Sequence, residues 1–452
     1  MTRILIENTT ILTLDDADTF YYPGFVDIRH DKIHAIGASS IDSADDGYHG
    51  ETIRIDGTDK MVMPGLVDLH FHTAVAKGYN DSLPLWEYLD TVWYPSIRAL
   101  TPEGAKTAAL YSYITALKSG TTTVNDMYRH LDSLASAALE TGIRAVLSND
   151  IALPEHKLDS VEDNINAFHK NHNTGDGRIK IWFGLEWMPL SDVPLLEHIA
   201  RMKKELDTGL HIHLCESRSE VDNTQKRFGK SPVQMAHAAG LLGPNTVAAH
   251  CVHLTETDLK LFAETGTHIS HNPGSNAKLG NGIAKLNDMI AAGINVGLGV
   301  DACECHNSTD MFETLKIASY MQKASLEDSE IAPASQMLRM GTQNGAKALG
   351  VDAGVLAAGK KADVIILDLK KDLMFTPLLE SPAEERRKML ESHLVFGCNG
   401  TAVDTVIVDG RIVVQGRKVL GVDEEQVRRN MNDVFSGLVA GMDKVRMDRK
   451  KI

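Results

Sequence analysis

The sequence predicts an α/β fold in which a (β/α)8 (TIM) barrel is joined to a small β-sandwich domain formed by both chain ends. Two observations support this prediction. Between about residues 60 and 355, eight β-rich runs alternate with amphipathic helical stretches, and that many strand–helix units close most simply into a parallel barrel. On either side of this range, alternating strands are broken by Gly and Asp turn signals. Because neither end alone covers its apolar face, we expect both to share one sandwich.

The predicted elements follow one another in a regular order. The barrel strands lie in MVMPGLVDLHFH, GTTTVNDM, IRAVLSND, KIWFGLE, GLHIHLCE, TVAAHCV, THISHNP and NVGLGVD. Helical patterns lie between them, for example at 103–118, 131–141, 193–206, 255–265 and 283–292. The expected boundaries place the sandwich in residues 1–60 and 358–422, the barrel in 61–357, and a closing amphipathic helix and tail in 423–452.

Composition limits the classes of partner. The chain has 452 residues, of which 43% are hydrophobic, and a net charge of −15, so we expect no nucleic-acid partner. No apolar run reaches the roughly 18 residues of a membrane-spanning helix, and the N-terminal MTRILIENTT has no signal-peptide core. We therefore expect no membrane partner and a cytoplasmic location. The five scattered cysteines are expected to be free thiols.

Titratable residues recur at the C-terminal ends of the predicted barrel strands, where such barrels place their chemistry. His70 and His72 end the first strand and share a face, because side chains two residues apart on a strand point the same way. An isolated pair of this kind is more often two hydrogen-bonded core histidines. Here His213 ends the fifth strand and Asp301 the eighth. Four such nitrogen and oxygen ligands suit one Zn²⁺ or Fe²⁺ ion with a position left for water.

Two further residues lie on the same rim, and two competing patterns fit less well. Glu216 follows the fifth strand and His250 ends the sixth. The segment GLGVDA resembles a dinucleotide-binding motif, but the sequence predicts no helix directly after it. Cys303 and Cys305 lack the paired CxxC motifs of small cytidine-deaminase zinc sites, so we expect ordinary loop thiols.

The motifs PGLVDLHFH, HLCE, AAHCVHL, SHNPGSNAKLGNGIA and GVDACECHNSTDMFE resemble those of the amidohydrolase superfamily. The similarity is greatest to its methylthioadenosine/S-adenosylhomocysteine deaminases, with s-triazine hydrolases such as atrazine chlorohydrolase and melamine deaminase close by, and it covers nearly the whole chain. This resemblance implies one Zn²⁺ per chain, with Fe²⁺ as an alternative, bound by His70, His72, His213 and Asp301. It also implies a homodimer or homotetramer.

The resemblance further assigns the catalytic roles. His250 would hold the metal-bound water, Asp301 would take a proton from that water, and Glu216 would protonate a ring nitrogen of the substrate. The metal-bound hydroxide would attack a ring carbon that carries an amino group, and ammonia would leave. Binuclear hydrolases of the superfamily usually carry a carboxylated Lys at the end of strand four. Glu186 stands there in this sequence, so one metal is expected.

The substrate side departs from the nucleoside deaminases. Their Glu-Trp pair corresponds here to Glu87 and Tyr88. Trp86 and Trp93 either stack on a flat ring or belong to the core. The full set of predicted substrate contacts is Trp86, Glu87, Tyr88, Asn149, Glu186 and Asn307.

Two of these positions bear on the substrate class. Glu186 stands where those deaminases have a substrate-binding His, and Asn149 where they have an Arg for a carboxylate. A Glu favours a ligand that donates hydrogen bonds, such as an amino-substituted triazine, pterin or oxidised purine, over methylthioadenosine. We therefore expect a metal-dependent deaminase of an amino-substituted aromatic N-heterocycle. A cyclic-amide hydrolase is the alternative enzyme class, and a non-catalytic scaffold fits poorly because the ligand set is complete.

Overall fold

The structure is a computed structural model that describes residues 2–38, 48–73, 78 and 82–449. Its strands, in chain order, are β1 (Thr2–Leu12), β2 (Phe20–Arg29), β3 (Lys32–Ala38), β4 (Glu51–Asp56), β5 (Lys60–Pro64), β6 (Leu66–His72), β7 (Thr121–Met127), β8 (Arg144–Ser148), β9 (Ile179–Ile181), β10 (Phe183–Leu185), β11 (Leu210–Leu214), β12 (Thr246–His250), β13 (His268–His271), β14 (Val296–Leu298), β15 (Asp301–Ala302), β16 (Val364–Asp368), β17 (Val403–Val408), β18 (Arg411–Gln415) and β19 (Lys418–Val419).

The helices, in the same order, are α1 (Leu85–Tyr88), α2 (Tyr94–Ala99), α3 (Pro102–Lys118), α4 (Leu131–Thr141), α5 (Val161–Asn171), α6 (Val193–Glu205), α7 (Arg218–Phe228), α8 (Pro232–Ala238), α9 (Glu256–Thr265), α10 (Pro273–Lys278), α11 (Leu286–Ala291), α12 (Cys303–His306), α13 (Met311–Leu326), α14 (Ala334–Met340), α15 (Gln343–Ala348), α16 (Thr376–Leu379), α17 (Ala383–Phe396) and α18 (Glu424–Arg449). A π-helical turn at Leu89–Trp93 joins α1 to α2. Short 3-10 turns lie at Pro154–His156, Met188–Leu190, Leu373–Phe375 and Gly400–Ala402.

Two runs of parallel strands form the barrel. One has the order β15-β6-β7-β8-β9 and the other β10-β11-β12-β13-β14. Only Trp182 separates β9 from β10, and only Gly299 and Val300 separate β14 from β15, so each pair is one barrel strand shared by both runs. The predicted α/β fold with a parallel barrel is therefore confirmed.

The barrel strands are buried on both faces. Every residue of β6 and β7 is buried, as expected for parallel strands covered by helices outside and by packed side chains inside. The sequence of β6, LVDLHFH, places Asp68, His70 and His72 on one face. Asp68 Oδ1 accepts a hydrogen bond from the Val300 N–H at 3.0 Å, which ties the eighth barrel strand to the first.

The two chain ends share one nine-stranded sheet. Its order is β19-β18-β17-β16-β5-β1-β2-β3, with β4 paired to β1. The junction is the antiparallel pair of β5 and β16, which brings residues near 60 beside residues near 365. A separate apolar cluster lies on this sheet and contains Ile4, Ile6, Ile11, Val26, Ile28, Ile33, Val62, Leu356, Ala362, Val364, Ile366 and Ile407.

The last helix lies within the range predicted for a closing helix. α18 packs against α2 and α3, and the tail predicted beyond residue 449 lies outside the described residues. Among the helices of the described ranges, none has both the length and the apolar composition needed to cross a membrane.

A buried ion pair joins the barrel to the terminal sheet. Arg144, at the start of β8, donates to both carboxylate oxygens of Asp363 at 2.8 and 3.0 Å and to Asp409 at 3.1 Å. All three residues are at most 5% exposed. Removing the Arg144 cation leaves the buried carboxylate of Asp363 without a charged partner, which is strongly destabilising, whereas Asp409 keeps its ion pair with Lys361.

We expect Arg144→Met to lower the free energy of unfolding by about 3–5 kcal/mol, measured as a lower urea midpoint. Arg411→Met is the matched control, because its ion pair with Asp176 is exposed. An exposed pair contributes only about 0–1 kcal/mol. Equal midpoints for the two variants would contradict the importance of the buried pair.

Candidate metal centre

The predicted metal ligands meet at the C-terminal rim of the barrel. His70 and His72 come from β6, His213 from β11 and Asp301 from β15, and all four are buried. Asp301 Oδ1 lies 3.3 Å from His70 Nε2 and 3.4 Å from His72 Nε2. His72 Nε2 and His213 Nε2 are 3.3 Å apart. His250, from β12, completes a second group of three with His70 and Asp301, and within each group the ligand atoms lie within 4.8 Å of one another.

These separations fit one shared zinc ion. Two ligand atoms that each lie about 2.0–2.2 Å from the same Zn²⁺ can stand at most about 4.4 Å apart, and the three distances above are shorter than that. His70 Nε2 is buried and makes no hydrogen bond, although it faces the other ligands. A buried imidazole nitrogen without a hydrogen-bond partner is suited to bind a metal ion. Coordination by three histidines and an aspartate is also chemically appropriate for Zn²⁺.

The outer nitrogen of each histidine ligand is held in place. His72 Nδ1 donates to the Met127 carbonyl at 2.5 Å, and His213 Nδ1 donates to the Glu186 carbonyl at 2.6 Å. His70 Nδ1 lies 2.7 Å from His211 Nε2. Each ring therefore directs Nε2 to the centre of the rim, as in metal sites where an outer partner sets the tautomer.

Burial and neighbouring charge set the ionisation of the ligands. Burial lowers the pKa of His70 to about 3 and that of His213 well below its usual range. Both imidazoles are therefore neutral at neutral pH, which is the form that binds metal. Burial favours the uncharged form of Asp301, but the adjacent histidines, His70 first, hold its pKa well below the usual range.

Glu216 and His250 lie beside the ligands. Glu216 Oε1 accepts a hydrogen bond from Asn281 Nδ2 at 2.9 Å and lies 3.8 Å from His250 Nδ1. His250 Nδ1 is 2.9 Å from Asn276 Oδ1, and its Nε2 is 3.9 Å from Asp301 Oδ2. Burial, and then the charge of Asp301, raises the pKa of Glu216 well above its usual range. A carboxylic acid that keeps its proton at neutral pH is suited to donate it.

Sequence reasoning missed the two asparagines. Asn276 and Asn281 lie in SHNPGSNAKLGNG, which served only to indicate the family. They reach the site because the chain folds back through α10 after strand seven. Nothing in the local pattern indicates which amide of that segment points inward.

A cavity opens beside the ligands. It is lined by His72, Leu85, Tyr88, Leu89, Trp93, Glu186, Trp187, His213, Glu216, His250, Leu279, Asp301, Ala302 and Cys305. The lining therefore combines apolar side chains with titratable ones. Trp93 packs edge-on against the His72 ring, with centroids 5.2 Å apart.

The predicted substrate contacts divide into two groups. Tyr88 and Glu186 line the cavity. Trp86 is half-buried beside it, 3.9 Å from Trp187 between ring centroids, and its Nε1 donates to Ser219 Oγ at 2.7 Å.

The other three predicted contacts lie elsewhere. Glu87 is exposed, and Asn307 is exposed and accepts from Lys278 Nζ at 2.7 Å. Asn149 is buried and lines a separate cavity with Arg129. Their roles in substrate binding stay predictions.

The segment after strand eight differs from the expectation. The prediction that no helix directly follows GLGVDA is wrong, because the four-residue α12 begins at Cys303. Cys305 is therefore not a loop thiol. It is buried, lines the cavity, and its Sγ lies 3.7 Å from the Tyr88 hydroxyl.

Known proteins resemble this chain along nearly its whole length. The profile of the amidohydrolase family matches residues 61–413. A 5-methylthioadenosine/S-adenosylhomocysteine deaminase from Acetivibrio thermocellus is 36% identical over 439 residues, which cover 96% of this chain and 98% of that protein. An adenosine deaminase structure from Xanthomonas campestris with bound zinc has a TM-score of 0.87 at 25% identity, covering 97% and 98% of the two chains.

A second solved structure supports the fold. Atrazine chlorohydrolase from Arthrobacter aurescens, complexed with zinc, has a TM-score of 0.85 at 22% identity, covering 96% of this chain and 100% of that one. The chain belongs to the amidohydrolase family, as its motifs predicted. It is a hydrolase whose rim is built for a single Zn²⁺ ion.

We expect one zinc ion per chain in the wild type and almost none in His213→Ala, measured by elemental analysis after dialysis. Three ligands hold the metal far less well than four. His237→Ala is the control, because His237 is exposed on α8 and should leave the zinc content unchanged. Full zinc occupancy in His213→Ala would show that the ligand set is wrong.

Proposed function

We propose that this amidohydrolase removes an amino group from an aromatic N-heterocycle by hydrolysis and releases ammonia. The observation that carries the proposal is a buried proton donor, Glu216, beside the metal-binding rim. Deamination needs such a donor, because a ring nitrogen must be protonated as water adds to the adjacent carbon. The deaminases among the relatives support the same reaction class.

The rim residues can bind and deprotonate water. Zn²⁺ bound there supplies a Lewis acid that lowers the pKa of a coordinated water to about 7. His250 directs Nδ1 to Asn276 Oδ1, so its Nε2 is left to hold the water near Asp301. Asp301 Oδ1 faces the histidine ligands, which leaves Oδ2 to take the proton of the water.

Glu216 and Asp301 complete the proton transfers. Glu216 Oε1 accepts the Asn281 amide hydrogen, so Oε2 carries the proton that passes to the ring nitrogen. Asp301 returns its proton to the departing amine, and the proton of the added hydroxyl group passes to Glu216 as the carbonyl forms, which restores the acid. Water and the aminated ring are thereby converted into a ring carbonyl and ammonia.

Glu186 supports a substrate with hydrogen-bond donors. Its Oε2 is buried in the cavity wall and has no hydrogen-bond partner. His213 Nδ1 lies 4.0 Å from this oxygen, and within the described residues no Lys or Arg forms an ion pair with Glu186. A buried acceptor without a donor is costly, and a ring N–H or NH₂ group supplies that donor. Aminated triazines, pterins and oxidised purines have such an edge.

Two other substrate classes are alternatives to an aminated triazine, pterin or oxidised purine. A 5′-substituted adenosine is supported by the name of the Acetivibrio relative. A cyclic amide would be opened without release of ammonia, so an ammonia assay separates that class from deamination.

The architecture around the barrel is part of the proposal. The nine-stranded sheet, with its own apolar cluster, is proposed to form a β-sandwich domain from residues 1–60 and 358–422 around the 61–357 barrel. The homodimer or homotetramer and the cytoplasmic location stay predictions.

We expect Glu216→Gln to retain zinc and to lose about 10²–10⁴-fold in kcat, because the amide matches the carboxyl group in size but cannot supply the proton. Ammonia release and elemental analysis are measured on the same preparation. Glu197→Gln, on the exposed face of α6, should leave kcat unchanged. A near-normal rate in Glu216→Gln would mean that the proton comes from another group.

We expect the wild type to deaminate a ring with N–H or NH₂ groups opposite the metal more than about a hundredfold faster than methylthioadenosine or S-adenosylhomocysteine, compared as kcat/KM. Glu186→His should reduce this preference in kcat/KM. The reason is that a neutral imidazole can donate a hydrogen bond to an adenine ring nitrogen, which can only accept one. Efficient turnover of methylthioadenosine by the wild type, or the same ratio in both proteins, would refute the role of Glu186.

A further inference from the structure

A buried carboxylate outside the metal centre contacts the backbone that carries Glu216. This residue, Glu220, is fully shielded from solvent in the first turn of α7. Its Oε1 accepts a hydrogen bond from the Cys215 backbone N–H at 3.1 Å, and its Oε2 accepts one from the Glu216 N–H at 2.8 Å. In the described part of the chain, Glu220 belongs neither to the cavity wall nor to the metal-binding groups.

The local sequence pattern is typical of a different role for Glu220. Ser217 caps α7 by accepting from the Glu220 N–H at 3.2 Å. A Glu three residues after a capping Ser usually returns its side chain to the N–H of the cap itself. Asp163 in α5 and Asp258 in α9 have that reciprocal arrangement. In α7 the carboxylate instead reaches the two residues that precede the cap.

The chain turns sharply after β11, and the buried N–H groups of this turn need the hydrogen-bond acceptor that Glu220 provides. Cys215 follows the last strand residue, Leu214, and has a φ of +52°, which residues other than Gly rarely adopt. Cys215 and Glu216 are both buried, so their N–H groups need partners within the protein. Glu220 therefore stabilises the turn from which Glu216 projects.

Glu216 is consequently held from two sides. Glu220 holds its backbone, and Asn281 Nδ2 donates to its carboxyl group at 2.9 Å. Glu220 thus fixes the backbone of the residue proposed as the proton donor, and Asn281 fixes its side chain.

We propose that Glu220 is a positioning residue for proton transfer, holding Glu216 where its carboxyl group reaches the ring nitrogen of the substrate. This inference rests on the proposed deaminase function, because it concerns the proton that Glu216 donates. Glu220 acts through Glu216 without touching the substrate. Misplacing a reacting group by about 1 Å can cost about a hundredfold in rate.

The test is Glu220→Gln, which keeps the size of the side chain but turns an NH₂ group toward one of the two N–H groups. We expect kcat to fall about 10- to 100-fold, with KM and zinc content unchanged. The solvent deuterium isotope effect on kcat should rise, because proton transfer becomes rate-limiting. The double variant Glu216→Gln/Glu220→Gln should be no slower than Glu216→Gln alone, since both changes act on one proton transfer.

Asp258→Asn is the matched control, because Asp258 is an equally buried carboxylate in the cap of α9. It should lower the melting temperature and leave kcat unchanged. If Glu220→Gln does not fold, Glu220→Asp replaces it; the shorter carboxylate should give a smaller loss of kcat and the same non-additivity with Glu216→Gln.

Two outcomes overturn the inference: a wild-type kcat in the Glu220 variants, or losses that multiply in the double variant. Ammonia release by the wild type from the panel of aminated heterocycles is measured first. No release from any of them refutes the proposed function, whereas an active wild type with multiplying losses refutes only the positioning role.

Discussion

The site depends on one buried negative charge. Asp301 is enclosed at the rim of the barrel by imidazoles that burial keeps neutral. An isolated buried carboxylate is unfavourable unless an opposite charge or hydrogen-bond donors compensate it. A divalent ion bound by Asp301, His70, His72 and His213 would supply that charge. Metal binding and the stability of this rim would then be coupled.

Several features of the backbone bring Asp301 to that position. The Val300 N–H bonds to Asp68, so the eighth strand is anchored inside the barrel directly before the ligand. At Gly299 a Cβ atom would stand 2.7 Å from the His70 backbone nitrogen, so a larger residue would push the two strands apart. Asp301 itself has a φ of +73°, and a left-handed residue of this kind costs about 1–3 kcal/mol. The surrounding barrel holds this strained residue in place.

Two carboxyl groups at one site serve opposite purposes because their surroundings differ. Asp301 faces histidines, which favour its charged form. Glu216 faces the charges of Asp301 and Glu186, which disfavour its own ionisation, and burial acts in the same direction. The two environments therefore separate the pKa values of the two carboxyl groups, which is the arrangement that the proposed base and acid need at one pH. The hydrogen bond from Asn281 Nδ2 to the Glu216 carboxyl group and the one from the Glu216 N–H to Glu220 fix the position of Glu216.

The sequence by itself was sufficient to predict the barrel and to bring together on one rim the residues proposed as metal ligands. The reason is that both follow from short-range rules. Residues two apart on a strand share a face, as His70 and His72 do, and parallel strands of a barrel end at one rim, where His213 and Asp301 join them. The sequence also predicted a shared β-sandwich, since neither chain end covers its own apolar face, and the structure joins the two ends in one nine-stranded sheet.

Only the tertiary structure decided which side chains line the cavity beside the rim. For Trp93 the sequence left two places open, and the structure packs it on the His72 ring; Asn281, which donates to Glu216, carried no local signal. Glu87 aligns with a substrate-binding motif yet is exposed, because position in a motif does not determine the direction of a side chain on a short helix. Glu220 fits a local capping pattern, but the turn after β11 offers its carboxylate two buried N–H groups. Such contacts join segments that are far apart in the chain or folded back on themselves, so their partners exist only once the fold has formed.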